Sequence, residues 1–169
     1  LGITDFGVLE YDGVEWRGIP NNLKSEVYGV VIDKKGTIYV GGANDFGYLF
    51  TNKNGRFIYK SLKNQYIDST LNIGSVWNTH LLDDNVYFFT EKCVFIFNIH
   101  SRKLTYLKPE NGISFYVPFI FKNKYYLLQD KKGIWRYENN KLKFIPNTDF
   151  FADRQFLSAL PYDESSVLI

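Results

Sequence analysis

Apolar and polar positions alternate along most of the chain in short runs, each bounded by a cluster of Asp, Asn, Gly or Lys. That is the pattern of half-buried strands, not of amphipathic helices. The first two runs lie within residues 7–20 and join at Asp12-Gly13, a strong hairpin signal. A nearly continuous apolar run at 27–32 ends in Asp33-Lys34-Lys35-Gly36, and its antiparallel partner follows at 37–40. Strands at 46–50 and 56–62, joined by a turn at 52–55, complete a unit of four. The order repeats less regularly at 76–82, 86–90, 94–98 and 104–107, with a turn at 83–85. It returns at 115–121, 125–129, 133–137 and 142–145, with turns at 122–123 and 138–140. Residues 156–162 and 167–169, around a turn at 163–166, read as the first hairpin of a further unit. No stretch calls for a helix.

The units are copies of one another. Asp45-Phe46-Gly47 occurs forty residues earlier as Asp5-Phe6-Gly7, and the third strands start at Gly7, Gly47, Val94 and Gly133, spaced 40, 47 and 39 residues apart. Such a period, filled by four strands, predicts an all-β fold: a β-propeller of four-stranded antiparallel blades, about four blade-equivalents in all. The extra length of the middle interval falls at 63–73, a polar connection read as an enlarged loop between blades. The predicted organisation is one propeller domain or segment over residues 1–169, with an outer hairpin at 7–20, blades at 27–62, 76–107 and 115–145, and an inner hairpin at 156–169. The two ends could complete one blade and close a four-blade ring, or the chain could be a segment of a larger propeller. The segment is preferred, because a four-blade ring demands unusually regular packing.

Composition fits this picture. Aromatics make up 18% of the 169 residues, with 15 Phe, 13 Tyr and 3 Trp, and Met is absent, which suits pleated surfaces. A hydrophobic content of 45% suffices for a core. Net charge is +2, with acidic and basic residues well mixed, so no footprint for nucleic acid or an anionic membrane stands out. Cys93 is the single cysteine, which excludes an internal disulfide and a cysteine-based zinc site in this chain. Its place in a strand pattern predicts a packed thiol. No apolar run approaches the ~18 residues of a membrane span. Leu1 stands in mid-pattern without an initiator Met, so the chain is taken as an excerpt whose targeting signals lie elsewhere.

Most candidate chemistry has a structural explanation. Asp-Phe-Gly also marks the magnesium site of protein kinases, but no glycine-rich loop or catalytic His-Arg-Asp segment accompanies it, and the second copy marks a repeat. The expected roles are a core Phe, a Gly that permits close strand packing, and an Asp that bonds backbone amides. His80 and His100 form no metal set, so no metal and no cofactor is expected. The pairs Asp83-Asp84 and Asp163-Glu164 sit in turn slots, which explains them better than acid/base catalysis. Lys131-Lys132 reads as a solvated turn. Trp16, Trp77 and Trp135 hold strand positions where core packing is the default, with Trp77, near the start of an inner strand, the best candidate for exposure.

The run Gly7-Val-Leu-Glu-Tyr-Asp-Gly-Val-Glu-Trp16, followed by Asp33-Lys-Lys-Gly-Thr-Ile-Tyr-Val-Gly-Gly-Ala-Asn-Asp-Phe-Gly-Tyr-Leu49, resembles the two-component regulator propeller repeats of bacterial sensors. The match covers about the first 60 residues; later units depart from it, as where Glu91-Lys92-Cys93 replaces the Asn-Asp-Phe turn. The resemblance implies a non-catalytic, extracytoplasmic or periplasmic sensing segment of a membrane-anchored regulator. In that family a triple-tyrosine domain, a membrane helix and a histidine kinase or transcription-regulator output follow, and many members recognise glycan fragments. The implied partners are an oligosaccharide or other small molecule, the rest of the sensor and a possible homodimer mate, with no nucleic acid bound by this segment.

In a propeller the turns between second and third strands share a face with the connections that enter each inner strand. That face is predicted to hold the ligand, through Tyr28, Asn44, Asp45, Trp77, Asn78, Glu91, Tyr116, Asp130 and Arg154, which combine hydrogen bonds with flat stacking area. The rival expectation is a protein-interaction or dimerisation platform whose exposed aromatics meet a second subunit.

Overall fold

Antiparallel meanders account for nearly all the regular structure in the computed structural model, which describes residues 2–4, 7–19, 26–110, 113–153 and 157–169. The contacts divide the chain into two compact units: residues 1–90 with 94–106, and residues 91–93 with 107–169.

The first unit contains three sheets. Strands β1 (Gly2–Thr4), β2 (Gly7–Tyr11) and β3 (Trp16–Gly18) form the first. The second runs β4 (Val27–Ile32), β5 (Ile38–Gly42), β6 (Asp45–Thr51) and β7 (Phe57–Ser61), each paired with the next. After a short helix α1 (Leu62–Tyr66), the third runs β8 (Asn78–Leu82), β9 (Asn85–Phe89), β10 (Val94–Asn98) and β11 (Leu104–Leu107). The inner strands read as near-continuous apolar runs because both faces are covered: every residue of β5 is buried, whereas the outer β7 alternates between half-buried and exposed. Val8, Ile19, Val27, Ile38, Val40 and Leu49 form one core cluster. Phe46, with no exposed surface, lies between Phe88 and Phe95 at ring-centroid distances of 4.6 and 4.9 Å. On the flank, Arg102 donates to the Tyr48 hydroxyl at 2.9 Å and lies over the rings of Tyr48 and Phe97, so a cation–π contact joins the second and third sheets.

The second unit holds β12 (Phe115–Phe121), β13 (Lys124–Gln129), β14 (Gly133–Glu138) and β15 (Lys141–Phe144), then a 3-10 turn at Asp149–Phe151 and the hairpin β16 (Leu160–Pro161) with β17 (Val167–Leu168). Phe119, Leu128 and Ile134 are its buried cluster, with Phe151, Ala159 and Val167 packed on them. The two-residue turns at Lys122-Asn123 and Asn139-Asn140 have positive φ at both positions, which matches the right-handed twist of the strands they join.

Three expectations change. The connection after 62 is not structureless: Ser61 caps α1 by accepting the Asn64 amide at 3.0 Å, a local signal too short to show as periodicity. The first sheet gains a strand, β1, ahead of the predicted hairpin. The last hairpin narrows, its pairing confined to Leu160 with Leu168 and Pro161 with Val167. The first Asp-Phe copy, at residues 5 and 6, lies outside the described residues. In the second copy all three roles hold. Phe46 is core, the Asp45 carboxylate accepts the Phe46 amide at 2.8 Å, and a Cβ on Gly47 would overlap the Lys60 carbonyl.

Candidate functional site

Turns between second and third strands lie at the same end of a meander as the entry into its first strand. In the first unit this end brings together three segments, 26–28, 42–45 and 72–78. Backbone bonds tie them: Ala43 N donates to Glu26 O at 3.1 Å, Asn44 N to Gly74 O at 3.2 Å, Val76 N to Gly42 O at 3.0 Å and Trp77 N to Phe89 O at 3.0 Å. Asn44, at φ 56°, adds a side-chain strut: its Oδ1 accepts the Ile73 amide at 2.9 Å and the buried Lys63 ammonium at 3.2 Å.

Two glycines let the 75–79 segment lie flush on the second sheet. A Cβ on Gly29 would stand 2.7 Å from the Thr79 amide nitrogen, and one on Gly41 would overlap Val76. Such approaches exclude any side chain unless the segment moves. The result is a fixed position for Trp77 beside Tyr28, their ring centroids 4.9 Å apart and their planes tilted by 31°. Trp77 remains 46% exposed, as a stacking surface requires. The Tyr28 hydroxyl donates to the exposed Glu26 carboxylate, which places a charge at the edge of the aromatic pair. Asn78 is exposed at the head of β8.

Of the predicted residues, Tyr28, Asn44, Trp77 and Asn78 therefore gather at one end of the first unit. Asp45 is nearby, but its Oδ1 is engaged by the Phe46 amide and by the Ser61 hydroxyl at 2.7 Å. Burial, together with that carboxylate, pushes the Tyr59 phenol well above its ordinary range. In the second unit, Glu91, Tyr116 and Asp130 also share an end: Phe115 N donates to Glu91 O at 2.9 Å and Asp130 N to Ser114 O at 3.0 Å. Tyr116 is exposed at a β-bulge between Tyr116 and Pro118. Arg154 lies outside the described residues. Glu26, Lys63, Gly29 and Gly41 were not anticipated, although the two glycines interrupt apolar strands, a recognised sign of close backbone approach.

Other candidates fall as follows. Trp16 departs from the core default: β3 is exposed throughout, and the ring packs on Tyr11 at 5.1 Å instead. Burial lowers His80 to about 4 and raises the packed Cys93 thiol to about 12. His100 is exposed, its Nε2 3.0 Å from Asp84 Oδ1. Among the described residues no group of three His, Cys, Asp or Glu side chains could hold a metal ion.

No family model and no curated protein matches the sequence. Solved structures do. Two are of the extracellular domain of BT4673 from B. thetaiotaomicron, described in one as a one-component and in the other as a hybrid two-component system. The first aligns with a TM-score of 0.58 at 23% identity over 85% of this chain and 20% of that chain. The second aligns at 0.60 and 17% identity over 79% and 19%. A third is virginiamycin B lyase from Staphylococcus aureus, with a TM-score of 0.53 and 16% identity over 76% of this chain and 44% of that one. The fold is a β-propeller. Its four-stranded sheets are blades, and the chain spans about a fifth of the BT4673 extracellular domain. At these identities the likeness establishes the fold, and a fold shared by a lyase and a two-component system does not by itself assign activity. Both BT4673 neighbours are extracellular domains, and among the described residues no helix is long and apolar enough to cross a membrane.

Proposed function

We propose that these blades are a non-catalytic, ligand-sensing part of an extracytoplasmic receptor in a bacterial signal-transduction regulator, and that the ligand is a glycan fragment or a similar small molecule. The observation that carries this reading is the Tyr28–Trp77 pair, held half-open by backbone bonds from three segments and flanked by Glu26 and Asn78. A flat aromatic surface with polar groups at its edge suits a ring that has apolar C–H faces and equatorial hydroxyls. Glu91, Tyr116 and Asp130 are proposed to serve the same face of the second unit. The partners in this reading are the rest of the sensor and the small molecule; nucleic acid is not one of them.

The test is thermal unfolding of the complete protein with and without a panel of polysaccharide-derived oligosaccharides. At ~100 times its dissociation constant a binder adds about 2.7 kcal/mol, so one glycan class should raise the midpoint reproducibly. No shift across the panel, in protein shown to be folded, overturns the reading. A second reading, an interaction or dimerisation platform, draws on the exposed Leu157, Leu160, Tyr162 and Leu168 around the final hairpin. It predicts association that depends on protein concentration and is indifferent to sugars.

A further inference from the structure

Resting on the glycan-sensing reading, we propose that Glu26 is a selectivity determinant: the Tyr28–Trp77 platform takes uncharged saccharides and rejects those bearing carboxylates or sulfates. The position of Glu26 is set by the backbone, since its carbonyl accepts the Ala43 amide at 3.1 Å and anchors it beside the turn of residues 42–45. Its side chain is exposed and is tethered to the platform by the Tyr28 hydroxyl, which donates to Oε2. That bond uses one oxygen and leaves the other free to accept from a sugar hydroxyl. A ring stacked on Trp77 would thus meet a negative charge at its rim.

Among the described residues, the cation at this end does not offset that charge toward solvent. Lys63 reaches this end of the unit, but it is buried and its ammonium is directed at Asn44 Oδ1. Among the described residues at this end, Asn44 and Asn78 are uncharged, and the Asp45 carboxylate, engaged by the Phe46 amide and the Ser61 hydroxyl, adds a further negative charge. A carboxylate or sulfate brought within a few ångströms of Glu26 in a partly desolvated site therefore meets net repulsion, on the order of ten-fold in affinity and stronger at low salt. A neutral hydroxyl at the same point would instead donate to the free oxygen.

The experiment uses the complete protein and matched probes: neutral oligosaccharides of glucose, mannose or galactose, and the corresponding uronic acid oligomers, titrated by calorimetry at low and at physiological salt. The proposal expects a neutral oligomer to bind about ten-fold or more tightly than its uronate counterpart, with the gap narrowing as salt rises. Glu26→Gln, which keeps one acceptor for Tyr28 but puts an amide donor in place of the second oxygen, should close most of that gap, by improving uronate binding and by weakening neutral binding through the lost acceptor. Equal or better binding of the uronate by the unaltered protein, or an unchanged gap in Glu26→Gln, overturns the selectivity role and leaves the sensing reading standing. Binding of neither class overturns the sensing reading, and the selectivity role falls with it.

Discussion

The two ends of the blades in the first unit are built on different principles. At one end lie tight turns whose polar side chains satisfy their own backbone. Asp33 Oδ1 accepts the amides of Lys35 at 2.8 Å and Thr37 at 2.9 Å, and Asn52 Oδ1 repeats the arrangement with Asn54 and Arg56, both at 2.9 Å. Asn98 likewise accepts the amide and hydroxyl of Ser101. At the other end the polar groups bond between segments distant in sequence, as Asn44 does with Lys63 and Ile73, and the aromatics that complete the arrangement stay half-open. A side chain that accepts the amides two to four positions on shapes a turn. A residue that ties three segments together and leaves a stacking surface in solvent makes a place for something else.

That contrast can be broken by substitution. The largest effect is expected where the 75–79 segment meets backbone: Gly41→Ala should cost about 3 kcal/mol, because Val76 has to give way. Gly36→Ala, in a turn with φ +83° but open space around it, should cost only about 1 kcal/mol, chiefly from backbone strain. Urea unfolding of the two variants side by side measures the difference.

Acid should act next most strongly, through His80 on the inner strand β8. Burial holds this imidazole at about 4 against an ordinary 6.5, so the unfolded chain takes up the proton first as pH falls. Its contribution is fully present above pH 6.5 and is lost progressively down to about pH 4, by up to ~3 kcal/mol. His80→Leu should flatten the profile of unfolding midpoint against pH over that window.

Asn44→Ala removes the strut and leaves the buried Lys63 ammonium without its acceptor, so it should cost about 2 kcal/mol. Asp33→Ala, which loses two local turn bonds and a long 3.5 Å bond from the Tyr39 hydroxyl, should cost about 1 kcal/mol. Equal costs would mean that the two ends are held in the same way.

How much of this was legible in the sequence follows the same division. The strands, the turns at Asp33, Asn52, Lys122 and Asn139, and the core place of Phe46 are local properties, written in alternation and in residues that bond their near neighbours. Trp77 was singled out for exposure because its place at the head of an inner strand follows from topology. The Lys63–Asn44 bond was not legible, because it depends on how the connection after β7 folds back on the turn at 42–45, and the local Glu26–Tyr28 bond was not, because alternation does not say which polar pair two positions apart will meet. Helix α1 was missed for a related reason: five residues carry one cap and no repeat. Trp16 was misjudged because β-propensity does not distinguish an edge strand, where its ring stacks on Tyr11, from a covered one.

The central claim is that the half-open aromatic pair exists for a ligand and not for the fold, and Trp77→Ala tests it most directly. The complete protein carrying this change would be titrated with the oligosaccharide that stabilises the unaltered one, and its unfolding measured in parallel. The account predicts a loss of stability of about 1 kcal/mol, from the half-buried ring and its contact with Tyr28, that leaves the protein folded, together with binding weakened ten-fold or more, about 1.4 kcal/mol. Unchanged binding, or a stability loss large enough to explain the weakened binding, would contradict it.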